Sequence, residues 1–125
     1  MKNIIIYHNP RWKKSRGAVQ LLREKGVNFT IRDYLKNPLS ITEVLNISEE
    51  LGLAPGQFVR KNEPEFKENK LEEFISNDQK MAKAISRYPK ILERPIVVVQ
   101  NKALVCRPPE KVLTLLKKKE SKWSL

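Results

Sequence analysis

Two short runs of β-branched apolar residues, one near each end of the chain, place the strongest limit on what this sequence can fold into. The first reads "NIIIYH" at residues 3–8, and the second reads "RPIVVVQ" at residues 94–100. Short apolar runs bounded by turn residues are typical of strands that are buried on both faces of a sheet. The sequence therefore predicts that the two ends of the chain meet in one buried sheet.

The residues that follow the first run predict a β-α-β unit. The segment 15–26, "SRGAVQLLREKG", has the apolar spacing of a helix, with Ser15 as a candidate N-cap and Gly26 as a candidate C-cap. The segment 27–35, "VNFTIRDYL", then alternates apolar and polar residues as a strand does. A strand, a helix and a strand at this spacing predict a parallel strand pair with a right-handed crossover.

The rest of the chain predicts a helical middle and a hairpin near the end. Ser40 and Glu43 form the sequence pattern of a capping box, which opens a helix. The segment "ALVCR" predicts a strand that pairs back on the second apolar run across an "NK" turn, and Pro109 suits the first turn of a final helix.

We predict an α/β fold of the thioredoxin or glutaredoxin type, in the order β-α-β … β-β-α, with a four-stranded mixed sheet and a helical insertion. The chain of 125 residues is long enough for one domain with a real core. Residues 1–34 and 91–116 form the predicted core, 35–90 the helical insertion and 117–125 a basic tail.

Composition excludes several kinds of site. The chain has one Cys and one His, which rules out an internal disulfide, a multi-Cys metal site and a His-based metal site. No apolar run is long enough to cross a membrane or to act as a signal peptide, so we expect a cytoplasmic protein. The net charge of +11 favours anionic partners: an oxyanion, an acidic protein surface or nucleic acid.

Three stretches resemble the glutaredoxin-coupled arsenate reductase family, commonly called ArsC. "YHNPRWKKSR", within the loop at residues 7–17, resembles the family's H-N-P-x-C-x-x-S-R loop. "VRKNEPEF" resembles its R-K-N segment, and "RPIVVV…CRPPEKVL" resembles its final hairpin and helix. The broader family includes the regulators called Spx, which usually carry C-x-x-C at the first loop. The "CRPPE" run favours the reductase branch.

The resemblance implies roles for the residues of the first loop. Trp12 stands where the reductases have the Cys that attacks arsenate. His8 matches the His that helps to activate that Cys, and Ser15 supports the same position. Arg16 matches a residue at the start of the first helix that helps to hold an oxyanion, and Pro10 is part of the loop's structure.

The resemblance also implies an oxyanion site built by residues outside the loop. Arg60, Arg94 and Arg107 match the three arginines that hold the oxyanion in the family. Their planar guanidinium groups suit tetrahedral anions. Pro95 matches the cis-proline that thioredoxin folds place beside the active loop.

Trp12 puts arsenate reduction by this chain in question. Arsenate reduction of this type needs a thiolate that bonds to arsenic and is resolved by glutathione and glutaredoxin, and an indole ring has no such chemistry. Cys106 is the remaining thiol, but alternation along a strand sends Cys106 and Arg107 to opposite faces. We therefore interpret Cys106 as a core residue.

Three hypotheses follow for function. The first is a family member that does not reduce arsenate and keeps an oxyanion site for arsenate, phosphate or sulfate. The second is an Spx-like interaction protein whose basic loop and Trp12 contact a protein or nucleic acid. The third is a thiol oxidoreductase that uses Cys106.

We expect a monomer with no bound cofactor, no metal site and no nucleic-acid or membrane partner. Glutathione and glutaredoxin are needed only if the protein is an active reductase. Trp12 is either a plug over the loop or an exposed anchor for a partner.

Overall fold

The computed structural model describes residues 4–106 and 108–116. The chain divides into two compact units, which we call unit 1 and unit 2. Unit 1 combines Met1–Asp33 with Arg94–Leu125, and unit 2 comprises Tyr34–Glu93. The predicted insertion, 35–90, differs from unit 2 by one residue at its start and by three at its end. The predicted basic tail, 117–125, lies outside the described residues.

Unit 1 contains the four-stranded mixed sheet that the sequence predicts. Its strands are β1 (Ile4–His8), β2 (Thr30–Asp33), β3 (Ile96–Val99) and β4 (Lys102–Val105). The order in the sheet is β2-β1-β3-β4. β1 and β2 are parallel, and the pairs β1–β3 and β3–β4 are antiparallel. The two apolar runs, which form β1 and β3, therefore lie side by side in the centre of the sheet.

Helices of unit 1 cover one face of this sheet. Helix α1 (Lys13–Glu24) follows β1, and a short 3-10 turn (Pro109–Lys111) leads into helical residues 112–116. Pro109 is the first residue of that turn, as the sequence predicts. The hydrophobic core between sheet and helices consists of ten buried residues: Ile4, Ile6, Ala18, Val19, Leu22, Val97, Val99, Cys106, Val112 and Leu116.

The first helix begins earlier than the sequence indicates. The N-cap of α1 is Trp12, and its side chain makes no capping hydrogen bond. The prediction that Ser15 is the N-cap was wrong, because Ser15 lies inside the helix and is fully buried. At the other end Lys25 is the C-cap, and Gly26 follows it with a φ of 67°. Glycine adopts this left-handed conformation without the steric penalty that other residues meet.

Two limits of the strands also differ from the prediction. β2 covers only Thr30–Asp33, and Ile31, one of the apolar residues of the alternating pattern, is 42% exposed. β2 lies at the edge of the sheet, where a side chain can remain uncovered. The turn between β3 and β4 is formed by residues 100–101, one residue earlier than the predicted "NK".

Unit 2 is helical, with α2 (Ile41–Leu51), α3 (Pro64–Glu68) and α4 (Asp78–Arg87). The predicted capping box opens α2: the Glu43 N–H donates to Ser40 Oγ at 3.1 Å, and the Ser40 N–H donates to Glu43 Oε1 at 2.9 Å. Helices α2 and α4 pack against each other. Three 3-10 turns complete this unit: Pro55–Gln57, Leu71–Phe74 and Pro89–Ile91. Within the described ranges of both units, no helix combines the length and the apolar character needed to cross a membrane.

Candidate functional site

The loop between β1 and α1 is held by hydrogen bonds of its own residues. Asn9, which is buried, accepts from the Arg11 N–H at its side-chain oxygen (3.1 Å) and from the Trp12 N–H at its backbone carbonyl (3.1 Å). The Arg16 guanidinium donates back to the Pro10 carbonyl at 3.0 Å. The loop is therefore fixed at both ends, by an Asn side chain at its start and by an Arg of the helix that follows.

His8 and Ser15 form a buried polar pair beneath this loop. His8 Nδ1 lies 2.6 Å from Ser15 Oγ, and the same oxygen accepts from the Asn9 N–H at 3.0 Å. Among the described residues, His8 Nδ1 is the only acceptor within reach of the Ser15 hydroxyl. The hydroxyl therefore donates to Nδ1, and a neutral His8 carries its hydrogen on Nε2.

The surroundings of His8 keep its imidazole neutral. Burial has the largest effect and lowers the pKa of His8 below its ordinary value; Arg16 and Arg23 lower the pKa as well. Asp33, which lies opposite His8 in the parallel pair β1–β2, acts in the reverse direction and raises it. At neutral pH His8 is thus a hydrogen-bonding group and carries no charge.

Trp12 stacks on Arg94. The guanidinium carbon of Arg94 lies 3.7 Å from the centre of the Trp12 ring, within the range of a cation–π contact. Arg94 is 3% exposed, whereas Trp12 remains 41% exposed. The following peptide bond, Arg94–Pro95, is cis, and Pro95 accepts a hydrogen bond from the Cys106 N–H at 2.8 Å. One face of the Trp12 ring therefore covers Arg94, a predicted oxyanion ligand.

The first turn of α1 is a positively polarised surface. It contains no acidic residue, and Trp12 provides no side-chain cap. The backbone N–H groups of Lys13, Lys14 and Ser15 consequently lack a partner among the described residues. Free N–H groups and the helix dipole together favour an anion at this point.

Cys106 has the properties of a core residue. It is fully buried in the hydrophobic core of unit 1, and its thiol lies 3.6 Å from the Leu104 carbonyl oxygen. Burial raises the pKa of Cys106 to about 12, against smaller opposing effects of Lys111 and of a hydrogen bond from the Val97 backbone. A thiol of this kind is protonated at neutral pH and is a poor nucleophile.

The structure describes two of the three predicted oxyanion arginines, and these two lie in different units. Arg94 is placed in unit 1 as described above, and Arg107 lies outside the described residues. Arg60 belongs to unit 2, where its guanidinium lies 3.3 Å from Glu93 Oε1 and 3.5 Å from Glu63 Oε1. That the three arginines hold one anion stays a prediction.

Asp33 and Arg23 influence the pKa of His8 but were not among the predicted site residues. Two signals point to them. In a parallel β1–β2 pair, the last residues of the two strands come into register, which sets Asp33 beside His8. Arg16 and Arg23 are seven residues apart on one helix and so share a face. Within the described ranges, no group of three or more His, Cys, Asp or Glu residues is arranged to hold a metal ion.

These features define a class of protein. A mixed sheet whose first strand leads through a loop into a helix, with a cis-proline just before the neighbouring strand, is the thioredoxin-like arrangement of α/β proteins. A solved structure titled arsenate reductase from Vibrio cholerae shares this arrangement, with a TM-score of 0.85 and 35% sequence identity, and the match covers 90% of this chain and 96% of that one.

The chain belongs to the ArsC family, whose model matches residues 7–115. It is 37% identical to a protein of Haemophilus influenzae named arsenate reductase, over 91% of this chain and 99% of that protein. It is 38% identical to an arsenate reductase of Neisseria meningitidis serogroup B, over 93% of this chain and all of that protein. It is thus an arsenate reductase-like protein in family and fold.

Proposed function

We propose that this ArsC-family protein binds a tetrahedral oxyanion at the start of α1 and does not reduce it. The observation that carries the proposal is the contact between Trp12 and Arg94. An indole occupies the position where the family's thiolate is expected, and its ring lies 3.7 Å from the guanidinium carbon of Arg94.

The absence of thiol chemistry follows from the one Cys of the chain. Cys106 is fully buried, and its pKa of about 12 leaves almost no thiolate at neutral pH. The third hypothesis, an oxidoreductase that uses Cys106, is therefore the least supported. Glutathione and glutaredoxin have no thiol to act on in this proposal.

Anion binding needs no thiol and is supported by two groups of donors. The first turn of α1 offers uncapped N–H groups with no acidic residue among them. Arg94 stacks on Trp12 through the face of its guanidinium, and the N–H donors of a guanidinium lie in its plane, so stacking does not consume them. Arg60 is the weaker candidate, because Glu63 and Glu93 already neutralise it.

The reductase activity is tested with purified protein, arsenate, glutathione and glutaredoxin. We expect no arsenite from the natural chain or from Cys106→Ser, and we expect Trp12→Cys to provide a thiol with a pKa below the ordinary value of about 8.5, because it would lie at the uncapped start of a helix. Turnover that is lost in Cys106→Ser would contradict the proposal.

Oxyanion binding is tested by thermal unfolding with sulfate, phosphate or arsenate. We expect each anion to raise the melting temperature of the natural chain, since a ligand of the folded state stabilises it. Arg94→Lys should reduce the effect, because Lys cannot offer two parallel donors. Arg87→Lys in unit 2 is the matched control and should respond as the natural chain does. An equal response of both variants would refute the role of Arg94.

A second candidate function is favoured by the exposure of Trp12. Trp12 is 41% exposed and is flanked by three exposed basic residues, Arg11, Lys13 and Lys14. An aromatic residue within a basic rim is typical of an interface anchor for an acidic protein surface. Trp12→Ala separates the two functions: it should weaken partner binding in the second case and leave or increase oxyanion binding in the first.

The proposal also includes a monomeric, cytoplasmic protein without nucleic-acid partners.

A further inference from the structure

A cleft of about 670 Å³ lies between α1 and the edge strand β2 of unit 1. Neither Trp12 nor Arg94 lines it, but its lining includes His8, Pro10 and Arg16, so it adjoins the oxyanion site proposed above. Eight residues form its walls and floor: His8, Pro10, Arg16, Val19, Gln20, Arg23, Glu24 and Ile31.

His8 gives this cleft a polar group without a protein partner. The residue is 8% exposed, and among the described residues the only hydrogen bond of its ring is the one that Nδ1 accepts from the Ser15 hydroxyl. As argued above, the Ser15 hydroxyl donates to Nδ1, so Nε2 carries a hydrogen. An N–H donor that lines a cleft and has no acceptor among the described residues can pair with an acceptor atom of a ligand.

The helical wall of the cleft is positively charged. Arg16 and Arg23 lie on one face of α1, two turns apart, which corresponds to about 10 Å along the helix axis. Arg23 forms no ion pair with any described residue, and Arg16 donates only to the neutral Pro10 carbonyl. Glu24 is the one acidic residue of the lining, and it accepts from Gln20 at 3.4 Å. Two positive charges and one negative charge in the lining, with the Asp33 carboxylate beside His8, favour a monoanion over a dianion.

Apolar surface completes the cleft. Ile31 is one of the few large apolar side chains that are exposed, at 42%, and it faces the cleft from β2. Val19 contributes apolar surface from α1. An apolar surface beside a few convergent polar groups is characteristic of small-molecule sites.

We propose that this cleft binds a small organic monoanion, with its carboxylate or sulfonate between His8 Nε2 and the Arg16 and Arg23 guanidinium groups, and its apolar body on Ile31 and Val19. This site goes beyond the oxyanion function, since it selects an apolar body that arsenate, phosphate and sulfate lack.

The probe for this site is 2-naphthoate, with the neutral 2-naphthamide as its matched control. We expect 2-naphthoate to shift the ring signals of His8 in NMR spectra, which are unambiguous because the chain has one His. Binding measured by calorimetry should weaken about tenfold in Arg23→Gln, which removes one charge-assisted contact, and also for 2-naphthamide. Lys25→Gln, which removes an exposed charge near the same end of α1, should change binding less than twofold.

Several outcomes would overturn the proposal: unchanged His8 signals, equal binding of naphthoate and naphthamide, or equal effects of Arg23→Gln and Lys25→Gln. The two sites are distinguished by testing each variant with both sulfate and 2-naphthoate. Arg94→Lys should weaken the response to sulfate and leave naphthoate binding intact, whereas Arg23→Gln should do the reverse. Loss of naphthoate binding in Arg94→Lys would assign both anions to one site and contradict a separate cleft.

Discussion

At the scale of single residues, Ser15 shows how one hydroxyl can take on a structural task that sequence does not reveal. A Ser ahead of an apolar helical pattern predicts an N-cap, and this prediction was wrong. The Ser15 hydroxyl instead forms hydrogen bonds with His8 Nδ1, seven positions earlier, and with the Asn9 N–H, six positions earlier. Only the return of α1 along β1 brings these groups together, and no local pattern encodes that approach. The helix consequently starts without a cap, at Trp12.

The buried state of His8 predicts how stability depends on pH. In the unfolded chain His8 takes up a proton near its ordinary pKa of about 6.5, whereas in the folded state its pKa is lower. Between the two values the unfolded state binds more protons, so stability falls as the pH drops through about 6.5 and levels off below the folded pKa. We expect urea unfolding to show this loss between about pH 7.5 and pH 5.5.

His8→Gln is the control for this pH dependence. Gln cannot titrate, so the loss of stability over the same range should be smaller in the variant, whatever its stability at pH 7.5. Glu50, whose pKa is raised by burial, acts in the opposite direction but is present in both proteins and cancels in the difference. Identical pH profiles of the two proteins would show that His8 titrates in the same way in the folded and unfolded states.

At the scale of elements, the predictions succeed where local signals decide the structure. The capping box of Ser40 and Glu43 opens α2, and both central strands coincide with apolar runs. The strand predicted from the alternation of residues 27–35 agrees least with the structure, since β2 covers only Thr30–Asp33 and its Ile31 is exposed. The strand lies at the edge of the sheet, and Ile31 lines the cleft beside α1. Position in the sheet, which the local pattern does not contain, sets that side chain's environment.

The surroundings of Gly56 in unit 2 and of Gly17 in α1 predict different losses of stability when each is replaced by Ala. A Cβ atom on Gly56 would collide with the backbone carbonyl oxygen of Ile75, which cannot move aside as a side chain can. We expect Gly56→Ala to lower the free energy of unfolding by about 1–3 kcal/mol, the range of overpacked cores. Chemical denaturation measures the change.

Gly17→Ala is the matched substitution in α1. Its new Cβ would lie 3.2 Å from a ring carbon of Pro109, a tight contact, while Ala favours a helix interior over Gly by about 1 kcal/mol. The two effects oppose each other, so we expect a change much smaller than that of Gly56→Ala. Equal destabilisation by both substitutions would mean that the backbone around Gly56 yields more easily than its contacts indicate.

At the scale of the whole molecule, the sequence predicted the fold class from two apolar runs and the elements beside them, because strand and helix signals are local and the order of elements restricts the topology. The functional site was predicted less completely. Motif matching named His8, Trp12 and Arg94 as candidate site residues, but it did not predict the stacking of Trp12 on Arg94 or the cleft. Those depend on distances between residues that are far apart in the chain.

Net charge predicts how the molecule responds to salt. The chain carries 25 basic and 14 acidic residues. Such an excess destabilises a compact state through repulsion, and the Debye length shortens from about 30 Å at 0.01 M to about 8 Å at 0.15 M ionic strength. We expect urea unfolding to show greater stability at 0.15 M than at 0.01 M potassium chloride. A decrease would indicate that attractive ion pairs, such as Arg60 with Glu93, outweigh the repulsion.

The order of strands in the sheet also has a consequence for how the protein is made on the ribosome. β1 pairs with β2 on one side, but its other neighbour, β3, is synthesised only after all of Tyr34–Glu93. At common translation rates of about 5–20 residues per second, that delay lasts roughly 3–12 s. Throughout this interval the nascent chain carries an apolar strand with one open edge, which is the kind of surface that chaperones protect. The growing polypeptide therefore needs such protection most just before Arg94–Leu125, its last quarter, emerges.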